Sequence, residues 1–165
     1  MKTLVLMRHG KADVSAPSGR DFDRALSPKG REQVKVMSAW LKEQGILPDS
    51  IISSSALRTQ ETARGMALGL GIALETIDWR KDLYLASPSV YAACLLEAPN
   101  ECNNLMIVGH NTGISEWARE LLFGFYEELP TAGVLVVQSE TPDWASWYAY
   151  KTQFVTYQIP KRLMP

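Results

Sequence analysis

Short apolar runs alternate along the chain with longer segments in which apolar residues recur at helical spacing. The runs at residues 2–7 and 105–108 are apolar nearly throughout, which is typical of strands buried on both faces of a parallel sheet. Residues 50–53 and 72–77 predict two further strands. Strands that alternate with helices favour βαβ units, so the pattern predicts an α/β protein with a mostly parallel sheet.

Residues with special backbone or capping properties predict where the helices begin and end. Ser27 is placed to cap a helix with Pro28 at its first position, and Gly45 is placed to end that helix. Three more helices are predicted. One covers residues 55–70, one starts at residues 87–88, and one runs from a cap at residues 111–112 to residue 122. Two late strands, at 133–138 and 147–156, are expected at an edge of the sheet.

The composition indicates an ordinary soluble globular protein. The chain has 165 residues, of which 46% are hydrophobic and 21% charged, and its formal net charge is -1. This balance favours neither nucleic acid nor a membrane as a partner, so a cationic pocket would have to be local. No linker or repeat divides the sequence, and a single domain over residues 1–165 is predicted.

Two cysteines, Cys94 and Cys102, are too few and too irregularly spaced for a disulfide framework or a zinc site. We expect ordinary thiols and a cytoplasmic, reducing location. No segment has the length of a membrane span, and the start of the chain lacks the long apolar region of a signal peptide.

The chain has only two histidines, and each follows one of the buried apolar runs. His9 stands in Arg-His-Gly after the first run, and His110 follows the run at 105–108. Ligands of open α/β sheets bind beyond the carboxyl ends of the strands, so both imidazoles are expected in one crevice. A neutral histidine held in one tautomer can act as a nucleophile on phosphorus, and Arg8 beside it predicts an anionic ligand such as phosphate. The alternative is a core histidine next to a surface arginine.

Arg58 and His110 strengthen the hypothesis of a phosphate pocket. Arg58 follows the second predicted strand near the start of a helix, where backbone donors and the helix dipole favour an anion. An imidazolium at His110 would offset the charge of a phosphoryl oxygen. The alternatives are an exposed pair between Arg58 and Glu61, and a histidine that only packs at a strand end. Two histidines without a carboxylate cluster make a poor metal site, so we expect neither metal nor cofactor.

Three segments together resemble the signature segments of the histidine phosphatase superfamily, which has the phosphoglycerate mutase-like fold. They are residues 6–10, 54–63 and 108–111, and they occur in the order of that family. The resemblance implies a three-layer sandwich around a mostly parallel sheet. It also implies that His9 is the phosphorylated nucleophile, and that Arg8, Arg58 and His110 form the phosphate pocket.

Within this superfamily the chain resembles the SixA-like branch of phosphohistidine phosphatases. Residues 24–30 match that branch's Arg-x-Leu-(Ser/Thr)-x-x-Gly segment, which implies that Arg24 is a further phosphate ligand. The alternative is an exposed arginine paired with Asp21 or Asp23. Larger members carry a catalytic glutamate in an inserted lid after the third strand. Residues 78–84 leave no room for that lid, and Asp82 is the candidate general acid there.

The expected function is that of a metal-independent phosphatase that acts through a phosphohistidine intermediate, with phosphohistidine in proteins as the substrate. The alternatives are a small-molecule phosphomonoesterase of the same superfamily, a mutase and a non-catalytic phosphate-binding module. The expected partners are a phosphorylated protein or a small phosphorylated metabolite, with a phosphate ion in the pocket. The loops at residues 11–25, 80–89 and 128–133 are expected to form the pocket walls.

Overall fold

A six-stranded sheet forms the centre of the protein, and the computed structural model describes all 165 residues. The strand order is β3-β2-β4-β1-β5-β6. β3, β2, β4 and β1 are mutually parallel, whereas β5 pairs antiparallel with both β1 and β6. The strands are β1 (Lys2–Arg8), β2 (Ser50–Ser54), β3 (Asp78–Arg80), β4 (Asn104–Gly109), β5 (Val134–Ser139) and β6 (Gln153–Gln158).

Four α-helices cover the two faces of the sheet: α1 (Pro28–Glu43), α2 (Leu57–Leu70), α3 (Pro88–Leu96) and α4 (Gly113–Leu121). Ser27 caps α1 as predicted, since its side chain accepts a hydrogen bond from the Gly30 backbone N–H. Gly45 follows the helix with a φ of 71°, a left-handed conformation that glycine adopts without strain. None of the helices combines the length and apolar content that a membrane span requires.

Alternate residues of each central strand contribute to separate cores on the two faces of the sheet. In β1, Val5 and Met7 pack with α1 and α2, whereas Leu4 and Leu6 pack with α3 and α4. Side chains of a strand point alternately to opposite faces, so one strand supplies both cores. The predicted three-layer α/β sandwich with a mostly parallel sheet is therefore confirmed.

The third predicted strand is misplaced. Residues 72–77 contain a short 3-10 turn at Leu74–Thr76, and the strand β3 forms only at Asp78–Arg80. Ile77 is buried and Ile72 is half-buried against the core of α1 and α2, so this apolar run packs without strand pairing. β3 lies at the edge of the sheet, where its charged residues reach solvent.

The late part of the chain also differs from its prediction. Residues Trp147–Ala149 form a 3-10 turn, and β6 starts only at Gln153. Trp147 is fully buried and stacks on Trp144 with ring centroids 5.7 Å apart, so its packing favours a turn into the core. Of the two late strands only β6 lies at the edge, because β5 is enclosed between β1 and β6.

Candidate active site

A pocket of about 420 Å³ lies at the carboxyl ends of β1 and β4. β1 and β4 are paired neighbours, with Arg8 opposite Gly109, so the residues that follow them emerge side by side. The ring centroids of His9 and His110 are 5.3 Å apart. Five predicted site residues line this one pocket: Arg8, His9, Arg24, Arg58 and His110. The remaining wall comes from the expected loops and from the turn that precedes α4: Lys11, Ala12, Val14, Leu85, Asn111 and Thr131.

The ring of His9 is held in one tautomer. Its Nδ1 lies 2.7 Å from the backbone carbonyl oxygen of Gly10, which can only accept a hydrogen bond. Nδ1 therefore carries the proton, and Nε2 of the neutral ring keeps its lone pair. The Nε of Arg58 donates to this Nε2 at 3.3 Å. Gly10 allows the chain after His9 to pack closely against the start of α1, because a Cβ there would lie 2.9 Å from the carbonyl oxygen of Gly30.

Burial keeps both imidazoles neutral near pH 7. It lowers the pKa of His9 to about 4, with a smaller contribution from Arg58. It also lowers the pKa of His110 to about 2, with contributions from His9 and Arg58. The imidazolium expected at His110 is therefore disfavoured by burial and by the nearby His9 and Arg58, and the carboxylate of Asp21 offsets this only in part.

Two arginines approach the pocket from different elements. Arg8 at the end of β1 donates from Nη1 to the backbone carbonyl of Leu129, while its buried Nε has no partner. Arg58 is the second residue of α2 and only 4% exposed. Its expected alternative partner, Glu61, instead accepts a hydrogen bond from the Leu26 backbone N–H. Both guanidinium groups therefore present buried donors near His9.

Asp21, which was predicted only as an alternative surface partner of Arg24, joins two of the predicted phosphate ligands. Its carboxylate accepts hydrogen bonds from Arg24 at 2.8 Å and from Arg58 at 2.9 Å. The hydroxyl of Tyr84 donates to the same carboxylate, and hydrogen bonds from Tyr84 and the arginines hold the pKa of Asp21 well below its usual range. Arg24 is thus both paired with Asp21 and part of the pocket wall.

Asp82 does not line the pocket. Its carboxylate is exposed and pairs with Arg80 at 3.1 Å, in the turn that follows β3. The structure therefore does not support Asp82 as the general acid. Asp21 is a carboxylate that the fold does connect to the pocket, through Arg24 and Arg58.

His110 is fixed from both its backbone and its ring. Its backbone N–H donates to the hydroxyl of Tyr91 at 2.9 Å, and its Nε2 lies 2.8 Å from the Oγ of Ser54. Gly109 makes room for this contact, because a Cβ there would lie 2.2 Å from the Tyr91 hydroxyl. The Nδ1 of His110 is buried and has no partner. Neither Ser54 nor Tyr91 was among the predicted site residues.

The arrangement suits nucleophilic attack on a phosphoryl group. It offers a neutral imidazole nitrogen beside several cationic donors, which can hold the charge of phosphoryl oxygens. Both cysteines are poor rivals as nucleophiles, since burial raises the pKa of Cys94 and of Cys102 to about 11. No group of three or more His, Cys, Asp or Glu side chains is placed to hold a metal ion. Fold and site together define an α/β phosphatase.

Comparison with known proteins identifies the family. The family model of the histidine phosphatase superfamily, branch 1, matches residues 4–82. An uncharacterised protein of Picosynechococcus sp. is 30% identical over 145 residues, which cover 82% of this chain and 84% of that relative. The chain belongs to the histidine phosphatase superfamily.

Solved structures of SixA proteins share the whole fold. The protein histidine phosphatase SixA complexed with tungstate has a TM-score of 0.84 and 21% identity, covering 98% of this chain and 99% of that chain. The SixA protein from Nakamurella multipartitia has a TM-score of 0.79 and 25% identity, covering 96% of each chain. The SixA-like, phosphoglycerate mutase-like fold is therefore confirmed.

Proposed function

We propose that this protein hydrolyses phosphohistidine in a protein substrate, through a phosphohistidine intermediate on His9. One observation carries the proposal: the unprotonated Nε2 of His9 stands in a pocket lined by Arg8, Arg24 and Arg58. A nucleophile on phosphorus must offer a lone pair where fixed positive charges stabilise the transferring group. A SixA protein of the same fold is complexed with tungstate, which is an oxyanion, and this supports a phosphoryl ligand for the present protein.

The reaction takes two displacements at phosphorus. First, the Nε2 of His9 forms a bond to phosphorus while the bond from phosphorus to the substrate nitrogen breaks. The electron pair stays on that nitrogen, and the substrate ring, which carries a proton on its other nitrogen, leaves as neutral imidazole. Water then attacks the phosphorylated His9, the bond between phosphorus and Nε2 breaks, and inorganic phosphate leaves. Arg8, Arg24 and Arg58 hold the phosphoryl oxygens in both steps. Imidazole is more easily expelled than an alkoxide, so this substrate needs less help from a general acid.

The mouth of the pocket favours a bulky substrate. Val14 and Leu85 line the pocket, yet 96% and 56% of their surfaces are exposed. Large apolar side chains at the rim of a polar pocket provide surface that a protein substrate can bury and a small metabolite cannot. The short segment after β3 carries no lid over this mouth.

A substrate panel tests the proposal. In excess chelator, we expect a higher kcat/KM for a phosphohistidine-bearing protein than for sugar phosphates. Val14→Ser should lower kcat/KM about fivefold for the protein substrate, because about 1 kcal/mol of apolar burial is lost. It should leave nitrophenyl phosphate hydrolysis unchanged. A strong preference for one small metabolite, or loss of activity in chelator, would contradict the proposal.

The two carboxylates Asp21 and Asp82 are expected to differ in importance. Asp21→Asn removes the charge that orients Arg24 and Arg58, so kcat/KM should fall by about tenfold on all substrates. Asp82→Asn changes only an exposed pair with Arg80, and its effect should stay below about twofold. Steady-state kinetics on alkyl and nitrophenyl phosphates measures both effects. If Asp82→Asn lowered kcat/KM much more for alkyl phosphates than for nitrophenyl phosphate, Asp82 would be the general acid after all.

A further inference from the structure

The ring of His110 has one engaged nitrogen and one unengaged nitrogen. Nε2 contacts the Oγ of Ser54 at 2.8 Å, whereas Nδ1 is buried without any partner. A neutral imidazole carries its proton on only one nitrogen, and the partner of the other nitrogen decides which. The role of His110 toward a phosphoryl oxygen thus depends on the direction of the hydrogen bond with Ser54.

The surroundings of Ser54 indicate that its hydroxyl is the donor. The Oγ of Ser54 already accepts a hydrogen bond from the backbone N–H of Ala56 at 3.3 Å. Its proton has no acceptor other than the Nε2 of His110 in this fully buried position. If Nε2 donated instead, the serine proton would be left without an acceptor, which is costly in the interior.

We propose that Ser54 is a positioning residue that holds His110 in the tautomer with its proton on Nδ1, so that Nδ1 can donate to the phosphoryl group. This inference rests on the proposed function for its purpose, but the hydrogen bond itself does not. In the opposite tautomer Nδ1 would carry a lone pair, and this lone pair would repel an anion. Ser54 therefore decides whether the second histidine attracts or repels phosphate.

Ser53 provides a matched control for Ser54. It lies one residue earlier in β2, and it is also fully buried. Its hydroxyl shares its proton between the backbone carbonyl oxygens of Ser54 and Thr59 and makes no hydrogen bond with either histidine. Ser53→Ala and Ser54→Ala thus remove the same atom from the same strand, and only the second change removes a hydrogen bond to the ring of His110.

The test reads the tautomers of the two imidazoles by NMR, from ring ¹⁵N chemical shifts and their coupling to ring protons. The chain has only His9 and His110, so His9→Ala assigns both signals. We expect both rings of the wild-type protein to carry the proton on Nδ1. Ser54→Ala should move His110 toward a mixture of tautomers, and His9, held by the Gly10 carbonyl, should keep its signals.

Phosphate affinity gives a second readout. Ser54→Ala should weaken the binding of inorganic phosphate about tenfold, since one donor to the anion is partly lost, and Ser53→Ala should change it by less than about twofold. An unchanged His110 tautomer in Ser54→Ala, or equal shifts in both variants, would overturn the inference. The tautomer is measured without turnover, so the two proposals can fail separately. A protein that is inactive on phosphohistidine would refute the proposed function, and the NMR result would still decide the role of Ser54.

Discussion

His9→Ala is expected to abolish turnover, lowering kcat by at least about 10³-fold, while the protein stays folded. The substitution removes the unprotonated Nε2 that is assigned as the nucleophile, and the Nε2 of His110 is engaged by Ser54 and cannot replace it. The ring lies at the pocket rather than in either apolar core, so its loss leaves the packing of the sheet intact. Initial rates on a chromogenic phosphomonoester measure the loss, and circular dichroism verifies the fold.

Cys94→Ala is a suitable control for this substitution, because it removes a buried nucleophilic atom on the side of the sheet covered by α3 and α4. Its kcat should equal that of the wild-type protein. Full activity in His9→Ala would show that the nucleophile has been misassigned.

Arg58→Ala and Arg8→Ala are each expected to weaken the binding of vanadate or tungstate and to slow the chemical step. Each variant loses a charge-assisted contact worth about 1.5–3 kcal/mol, which is a 10- to 150-fold change in affinity. Arg58→Lys should recover only part of the loss, because an ammonium group does not reproduce the planar donor fork. Inhibition constants and single-turnover rates separate the two effects.

Arg64→Ala controls for the loss of an arginine from the same helix. Arg64 lies on α2 but stacks over Trp79 at 5.1 Å, away from the pocket. Its removal should leave inhibition by vanadate unchanged. If Arg8→Ala and Arg58→Ala also left inhibition unchanged, the two arginines would not share a phosphate pocket.

The site residues whose positions could be predicted from the sequence lie at the ends of regular strands and helices. His9 and His110 follow strands whose apolar runs are unambiguous, and the pairing of parallel strands brings the two rings together. Arg58 was placed by the start of a helix after β2. Such positions follow from hydrophobic periodicity alone, because the ends of neighbouring parallel strands must lie at the same edge of the sheet.

The positions that the sequence did not reveal depend on loop geometry or on side-chain direction. Asp21 reaches Arg58 across 37 positions of sequence, through a loop whose course no periodic pattern describes. Ser54 was visible as part of a motif, but its contact with His110 depends on the register between β2 and β4. Asp82 follows the misplaced third strand, and its pairing with Arg80 could not be read from spacing.

The most direct test of His9 as the nucleophile is to trap the phosphoryl group on the enzyme. A rapid alkaline quench during turnover of a labelled substrate, followed by peptide mapping, identifies the modified residue. We expect acid-labile, base-stable phosphate on His9, formed and lost at rates that match turnover, and no label in His9→Ala. Label on Ser53, Ser54, Ser55 or a cysteine, or turnover without any phosphorylated enzyme, would contradict it.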